Sequence, residues 1–69
     1  MPFVNIRIVR EAIAADPAGK KASISKAVTD AITAATGLGK DHVWVVFEEV
    51  AARDWYVGDT DVETLRAKK

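Results

Sequence analysis

The first two residues, Met1-Pro2, could supply this chain with a proton-transfer group. Initiator methionine is commonly removed when the next residue is as small as proline, and its removal would give Pro2 a free secondary amine. An ordinary α-amino group titrates near pH ~8, and both desolvation and a nearby cation lower that pKa. Pro2 is therefore a candidate general base at neutral pH. The alternative is that Pro2 only begins an edge strand, where a missing N–H costs nothing.

Pro2 directly precedes a predicted strand. Residues 3–9 alternate between two faces, as the residues of a strand do. The apolar residues of one face are Val4, Ile6 and Ile8. The pattern predicts a strand over residues 3–9 with that face buried, ended by Arg10-Glu11. The alanine-rich residues 12–15 that follow form a short connection, for which a helical turn is one possibility.

The boundaries of a long helix are well marked. Asp16 can cap its start, Pro17 suits the first helical position, and the run continues to Thr36. Gly37 suits the left-handed conformation that closes a helix. One apolar stripe at helical spacing comprises Ile24, Ala27, Val28, Ala31, Ile32 and Ala35.

A second strand is predicted over residues 42–50, and both of its faces are largely apolar. A strand of this kind is covered on both faces. One helix covers only one face, so we expect another subunit on the other. Strand, helix and strand together predict a right-handed βαβ unit with parallel strands, an α/β (α+β) fold.

The remaining residues form short elements. Residues 51–54 predict a polar turn, residues 55–59 a short β segment ending in a turn, and the tail a helix that begins at Asp61 and frays into Lys68-Lys69. Trp55 and Tyr56 are adjacent aromatics that so small a core cannot bury alone. We therefore expect them to pack on a neighbouring chain.

Size and composition narrow the function classes. The 69 residues predict a single domain over 1–69, without cysteine for disulfides and with too few histidines for a metal site. With 49% hydrophobic residues in so short a chain, self-association is the expected source of further stability. Ten basic and ten acidic residues balance, which argues against nucleic-acid partners. The sequence predicts no membrane segment and a soluble, cytoplasmic protein.

The chain resembles the tautomerase superfamily, specifically the short subunits similar to 4-oxalocrotonate tautomerase. The resemblance covers nearly the whole chain. It rests on Met1-Pro2 leading into a strand, the long striped helix, the strand at residues 45–49, and Trp55 followed by Gly58. It implies a βαβ monomer with a short C-terminal β-hairpin and with sheets paired between subunits. It also implies a homo-oligomer, usually a hexamer built as a trimer of dimers.

The resemblance further implies a cofactor-free isomerase that moves a proton within a small enolisable carboxylate. Pro2 would act as general base and acid, and Trp55 would form an aromatic wall beside it. The loop after the first strand is longer than in the family, so Arg10 is the nearest candidate for the arginine that binds the substrate there. A second family arginine is replaced by Trp44, which can stack but cannot pair with a carboxylate. We therefore expect a substrate with one carboxylate, or a more apolar enol.

Other charged residues and His42 are weaker candidates for a catalytic role. Glu48 and Glu49 point to opposite faces of a strand, so they cannot share a proton, and His42 lies at a loop edge. Arg53 is either solvated or reaches a neighbour's pocket. A second hypothesis is a non-catalytic oligomeric scaffold of the same fold. It would hold if Met1 is retained in the cell, because the Pro2 nitrogen would then be an amide.

Overall fold

The fold is known from a computed structural model, which describes residues 1–68. Its strands and helices are β1 (Phe3–Val9), α1 (Pro17–Thr36), β2 (Trp44–Val50), β3 (Tyr56–Val57), β4 (Thr60–Asp61) and α2 (Val62–Ala67). Single turns of 3-10 helix connect them at Arg10–Ile13, Lys40–His42 and Ala52–Asp54. The predicted fraying at Lys69 lies outside the described residues.

Two small sheets organise these elements. β1 and β2 pair in parallel, with a register that runs from Phe3 opposite Trp44 to Val9 opposite Val50. β3 and β4 form an antiparallel hairpin, turned at Gly58 in a left-handed conformation with φ of 64°. The expected α+β architecture, a βαβ unit with parallel strands and a C-terminal hairpin, is therefore confirmed.

Local signals fix the ends of α1 where the sequence placed them. The Asp16 side chain accepts a hydrogen bond from the Gly19 N–H at 3.2 Å, and Pro17 occupies the first turn, where its missing N–H is harmless. At the other end Gly37 has φ of 78°, and its N–H donates to the Thr33 carbonyl at 2.9 Å. The predicted helix is thus confirmed at both boundaries.

The two faces of the β1–β2 sheet differ in exposure. Half-buried residues of one face include Val4, Ile6, Ile8, Val45 and Phe47. Lys21 of α1 pairs with Glu49 on this same face, so α1 lies over it. The opposite face is open: Phe3 is 62% exposed and Trp44 55%. Phe3 and Trp44 share this face with the Arg7–Glu48 ion pair. Its apolar end is what an interface with another subunit would cover, as expected from the two-sided pattern of β2.

The most buried residues lie at the carboxyl end of the sheet. Within the described residues the buried apolar side chains are Ile13, Ala51 and Ala52, with Ile13 at 3% and Ala52 at 1% exposure. The first half of the predicted polar turn is therefore wrong, because segment 10–13 lies against it: the Glu11 carboxylate accepts the Ala52 N–H. Only Arg53 and Asp54 of that turn are exposed.

Ile13 gives the first test. We expect Ile13→Ala to lower the free energy of unfolding by about 2–5 kcal/mol, since it truncates the most buried large side chain among residues 1–68. Leu38→Ala, which truncates an exposed side chain, should cost less than about 1 kcal/mol. Urea denaturation at one fixed protein concentration measures both values. Equal losses would contradict a core centred on Ile13.

Candidate active site

Pro2 lies immediately before β1 and is half-buried. Its carbonyl accepts a hydrogen bond from the Trp44 N–H at 3.1 Å, which fixes the start of β1 against the start of β2. In a chain that keeps Met1, the Pro2 nitrogen is an amide. It becomes a base only when Met1 is removed.

Trp44 is adjacent to Pro2 along the backbone but not on the same face. Its register partner is Phe3, and both side chains stand on the open face of the sheet. Strand alternation places Pro2 with Val4, on the face that α1 covers. The structure therefore brings Trp44 to the Pro2 end of the sheet and directs its indole away from the proline ring of the same chain.

Arg10 lies at the opposite end of β1, in the 3-10 turn that follows the strand. Its Nε is 3.6 Å from Glu49 Oε1, and the other Glu49 oxygen is paired with Lys21. These neighbours, Lys21 first and then Arg10, hold the pKa of Glu49 below its usual range. Arg10 and Lys21 share the single carboxylate of Glu49. The cluster therefore has a net charge of about +1 and could bind an anionic ligand.

Trp55 also lies at the carboxyl end of the sheet, after the turn at residues 52–54. It is half-buried, and its backbone is held on both sides: its N–H donates to Ala52 at 3.2 Å, and its carbonyl accepts the Val62 N–H at 2.7 Å. The neighbouring Tyr56 and Val57 are exposed. These side chains are thus open to contact with another chain.

Strand direction separates the predicted site residues into two groups. Pro2 and Trp44 precede the parallel strands, whereas Arg10 and Trp55 follow them. A seven-residue strand spans roughly 20 Å, at about 3.3 Å per residue. A single chain therefore does not bring Pro2 together with Arg10 or Trp55. A site that uses all of them needs residues from more than one chain.

The two adjacent glutamates of β2 have separate partners, as strand alternation predicts. Glu48 pairs with Arg7 at 3.2 Å on the open face, while Glu49 faces α1. Hydrogen bonds from Asn5 and then from Arg7 lower the pKa of Glu48. Neither carboxylate is placed to share a proton with the other.

Sequence reasoning missed the partners of Arg10. Neither Lys21 nor Glu49 is predicted from the sequence to pair with other charged residues of this site. The register of the parallel strands could have identified Glu49. Since Val9 lies opposite Val50, Arg10 is near Glu49. No local pattern identifies Lys21, because it depends on how α1 crosses the sheet.

A groove of about 570 Å³ opens between α1 and the segment that leads into β2. Lys26, Lys40 and Val43 are among its lining residues, and Lys26 is paired with Asp30 at 2.7 Å. In residues 1–68 no cluster of histidine, cysteine or acidic side chains is arranged to hold a metal ion. Over the same residues, none of the helices has the length and apolarity to cross a membrane.

The chain is similar to known proteins of one family. The family described as tautomerase enzyme matches residues 2–65. The curated proteins contain no match to the chain. Among solved structures, DmpI from Helicobacter pylori has the same fold, with a TM-score of 0.76 over 99% of this chain and 100% of that one. The two sequences are 24% identical, so this likeness concerns the fold alone.

The Glu49 cluster predicts a dependence of stability on pH. Because the pKa of Glu49 is lowered in the folded chain, its ion pairs stabilise the fold above the unfolded pKa near ~4.3 and are lost as the pH falls through the folded pKa. We expect Glu49→Gln to unfold at lower urea concentration at neutral pH. The difference from wild type should shrink as the pH falls through the folded pKa of Glu49 and close once that carboxyl is protonated.

Glu63→Gln is the matched control for this pH series, because Glu63 is exposed in the first turn of α2. It should change the urea midpoint less than Glu49→Gln at neutral pH. A Glu49→Gln deficit of constant size at every pH would contradict the electrostatic origin and indicate lost packing instead.

Proposed function

The chain belongs to the tautomerase enzyme family, and from this premise we propose that it is a cofactor-free keto–enol isomerase of a small enolisable carboxylate. The observation that carries the proposal is that the family match starts at Pro2, which directly precedes a paired strand. Removal of Met1 would give a secondary amine to Pro2, which is half-buried in the full chain. Desolvation there lowers the pKa of an amine, which favours the free base at neutral pH.

The proposed reaction needs one group that both takes and returns a proton. The Pro2 amine accepts the proton of the enol hydroxyl, the O–H electron pair forms the carbonyl, and the carbon–carbon double bond takes a proton at its far carbon from the protonated amine. No electron leaves the substrate, and the proton count is unchanged. A cation near the oxygen stabilises the enolate formed in between.

Arg10 is the proposed cation, and Trp55 the proposed aromatic wall. Since both lie at the end of the sheet opposite Pro2, a neighbouring chain would supply them. The open face with Phe3 and Trp44, and the exposed Tyr56 and Val57 beside Trp55, support such an assembly. We propose that sheets pair between subunits and that the oligomer is a hexamer, a trimer of dimers.

The charges favour a substrate with a single carboxylate. Arg10 is already shared with Glu49, and the position at which the family resemblance implies a second arginine holds Trp44. An indole stacks on a conjugated system and donates one hydrogen bond, but it carries no charge. Trp44 would therefore suit a monocarboxylate with an apolar or aromatic part better than a dicarboxylate.

A non-catalytic oligomeric scaffold is the second candidate. It would hold if Met1 is retained in the cell, because the Pro2 nitrogen would then be an amide, and the exposed Phe3 and Trp44 would serve assembly alone. Intact-mass measurement of the protein from its native host separates the two, because only a chain without Met1 can perform the proposed reaction.

The role of Pro2 is tested by the rate of ketonisation of phenylenolpyruvate and of 2-hydroxymuconate. We expect the form without Met1 to be active and the form that retains Met1 to be slower by on the order of 10²- to 10⁴-fold, the usual contribution of a general base. Pro2→Ala without Met1 should lie between them, because it exposes a primary amine. Equal rates in these three forms would exclude a catalytic role of Pro2 and would leave the scaffold hypothesis.

The shared site is tested by mixing two impaired variants, Pro2→Ala and Trp55→Leu, through joint unfolding and refolding. If Pro2 and Trp55 of one site come from different chains, mixed oligomers contain sites with both residues intact, and the rate should rise above that of either variant alone. Pro2→Ala mixed with the double variant should show no such rise. If mass spectrometry shows mixed oligomers but the mixture of Pro2→Ala and Trp55→Leu gains no activity, both residues of a site come from the same chain.

A further inference from the structure

The carboxylate of Glu11 joins two segments of the chain: the one that carries Arg10 and the one that leads to Trp55. Glu11 lies in the 3-10 turn at residues 10–13, and its Oε1 accepts the Ala52 N–H at 2.8 Å. The hydrogen bond links residues that are 41 positions apart. It therefore connects the segment after β1 to the segment after β2.

This hydrogen bond continues through the backbone to Trp55. The Ala52 carbonyl accepts the Trp55 N–H at 3.2 Å, and the Trp55 carbonyl accepts the Val62 N–H at 2.7 Å. The turn between them is closed by the Asp54 N–H, which donates to Ala51 at 2.9 Å. Glu11, the turn and the start of α2 thus form one connected path, with Trp55 in its middle.

The two partners of this hydrogen bond differ in burial: Glu11 is exposed, whereas Ala52 is buried. Ala52 is 1% exposed and Ile13, two residues after Glu11, is 3% exposed. A buried N–H needs a hydrogen-bond acceptor, and water has little access to this one. The same hydrogen bond from Ala52 lowers the pKa of Glu11, so the acceptor is an ionised carboxylate at neutral pH.

We propose that Glu11 is a positioning residue, which sets the place of the Trp55 indole relative to Arg10. Arg10 directly precedes Glu11 in the same turn, and Trp55 closes the turn that Glu11 binds. One hydrogen bond therefore fixes the spacing of the two proposed substrate contacts. Its catalytic consequence rests on the proposed function, whereas its structural consequence does not.

The longer loop after β1 explains why such a residue is needed. A longer connection gives Arg10 more freedom, and a residue in motion binds an anion less well because ordering it costs entropy. Glu11 and the buried Ile13 hold this loop at both of its sides. Without these two contacts, only the 3.6 Å ion pair with Glu49 would hold Arg10 in place.

The first experiment observes Trp55 directly and needs no activity. The protein is labelled with 5-fluorotryptophan, and Trp44→Phe assigns its two fluorine resonances. We expect Glu11→Ala to shift or broaden the Trp55 resonance and to leave that of Trp44 in place. Glu11→Gln, which keeps an acceptor oxygen, should restore the Trp55 signal at least in part.

Glu63→Ala is the matched control, since it removes an exposed glutamate near the same end of the molecule. It should move neither resonance. If Glu11→Ala leaves the Trp55 resonance unchanged, or moves both resonances equally through general unfolding while Glu11→Gln does the same, the positioning role is overturned.

The second experiment follows ketonisation kinetics in the form without Met1, at a temperature where all variants are folded. We expect Glu11→Ala to raise KM several-fold more than it lowers kcat, because Arg10 and Trp55 bind the substrate while Pro2 moves the proton. Glu11→Gln should recover most of the affinity. A loss in kcat alone would overturn the assignment.

The two experiments separate the failure of this inference from the failure of the proposed function. If wild type has no Pro2-dependent activity, the proposed function fails, and the fluorine spectra still decide whether Glu11 places Trp55. If wild type is active and Glu11→Ala has the KM and spectrum of wild type, only the role of Glu11 fails.

Discussion

The parallel pairing of β1 with β2 is the constraint on which the rest of this molecule depends. Parallel strands start at one edge of a sheet and finish at the other, so every residue before them is separated from every residue after them by the length of a strand. Pro2 and Trp44 fall on one side of that division, Arg10 and Trp55 on the other. Chemistry that uses both sides must cross a boundary between chains.

The same constraint explains the poor burial of the single chain. Only α1 covers the two-stranded sheet, and the core at its carboxyl end consists of one isoleucine and two alanines among the described residues. Phe3 and Trp44 meanwhile lie exposed on the uncovered face. A chain of this size gains little stability alone, and the surface that would stabilise an oligomer is the surface that would complete the proposed site.

Short-range signals made much of the fold predictable. Asp16, Pro17 and Gly37 define α1 by rules that operate within one turn, and alternation over residues 3–9 defines β1 in the same way. The second strand was predicted to begin at His42, but that residue belongs to a 3-10 turn and β2 starts at Trp44. Apolar content alone could not distinguish the two, because the turn places Val43 in line with the strand.

The prediction failed where burial depends on residues distant in sequence. Ala51 and Ala52 resemble the start of an exposed turn, since alanine is compatible with either environment, and only segment 10–13 folding against them makes them buried. Lys21 escaped notice for the same reason. Its pairing with Glu49 needs a helix and a strand brought together by the crossover. The candidate residues Pro2, Arg10, Trp44 and Trp55 could be named from the sequence, but their mutual distances could not.

The segment after β1 is tied to the segment after β2. Arg10 directly follows β1 and begins a 3-10 turn that runs to Ile13. Two contacts hold this segment: Glu11 is bound to the Ala52 backbone, and Ile13 is the most buried large side chain of the described residues. Because those contacts involve the turn that leads to Trp55, the positions of Arg10 and Trp55 depend on each other. The geometry of the proposed binding surface is therefore set by packing at one end of a two-stranded sheet.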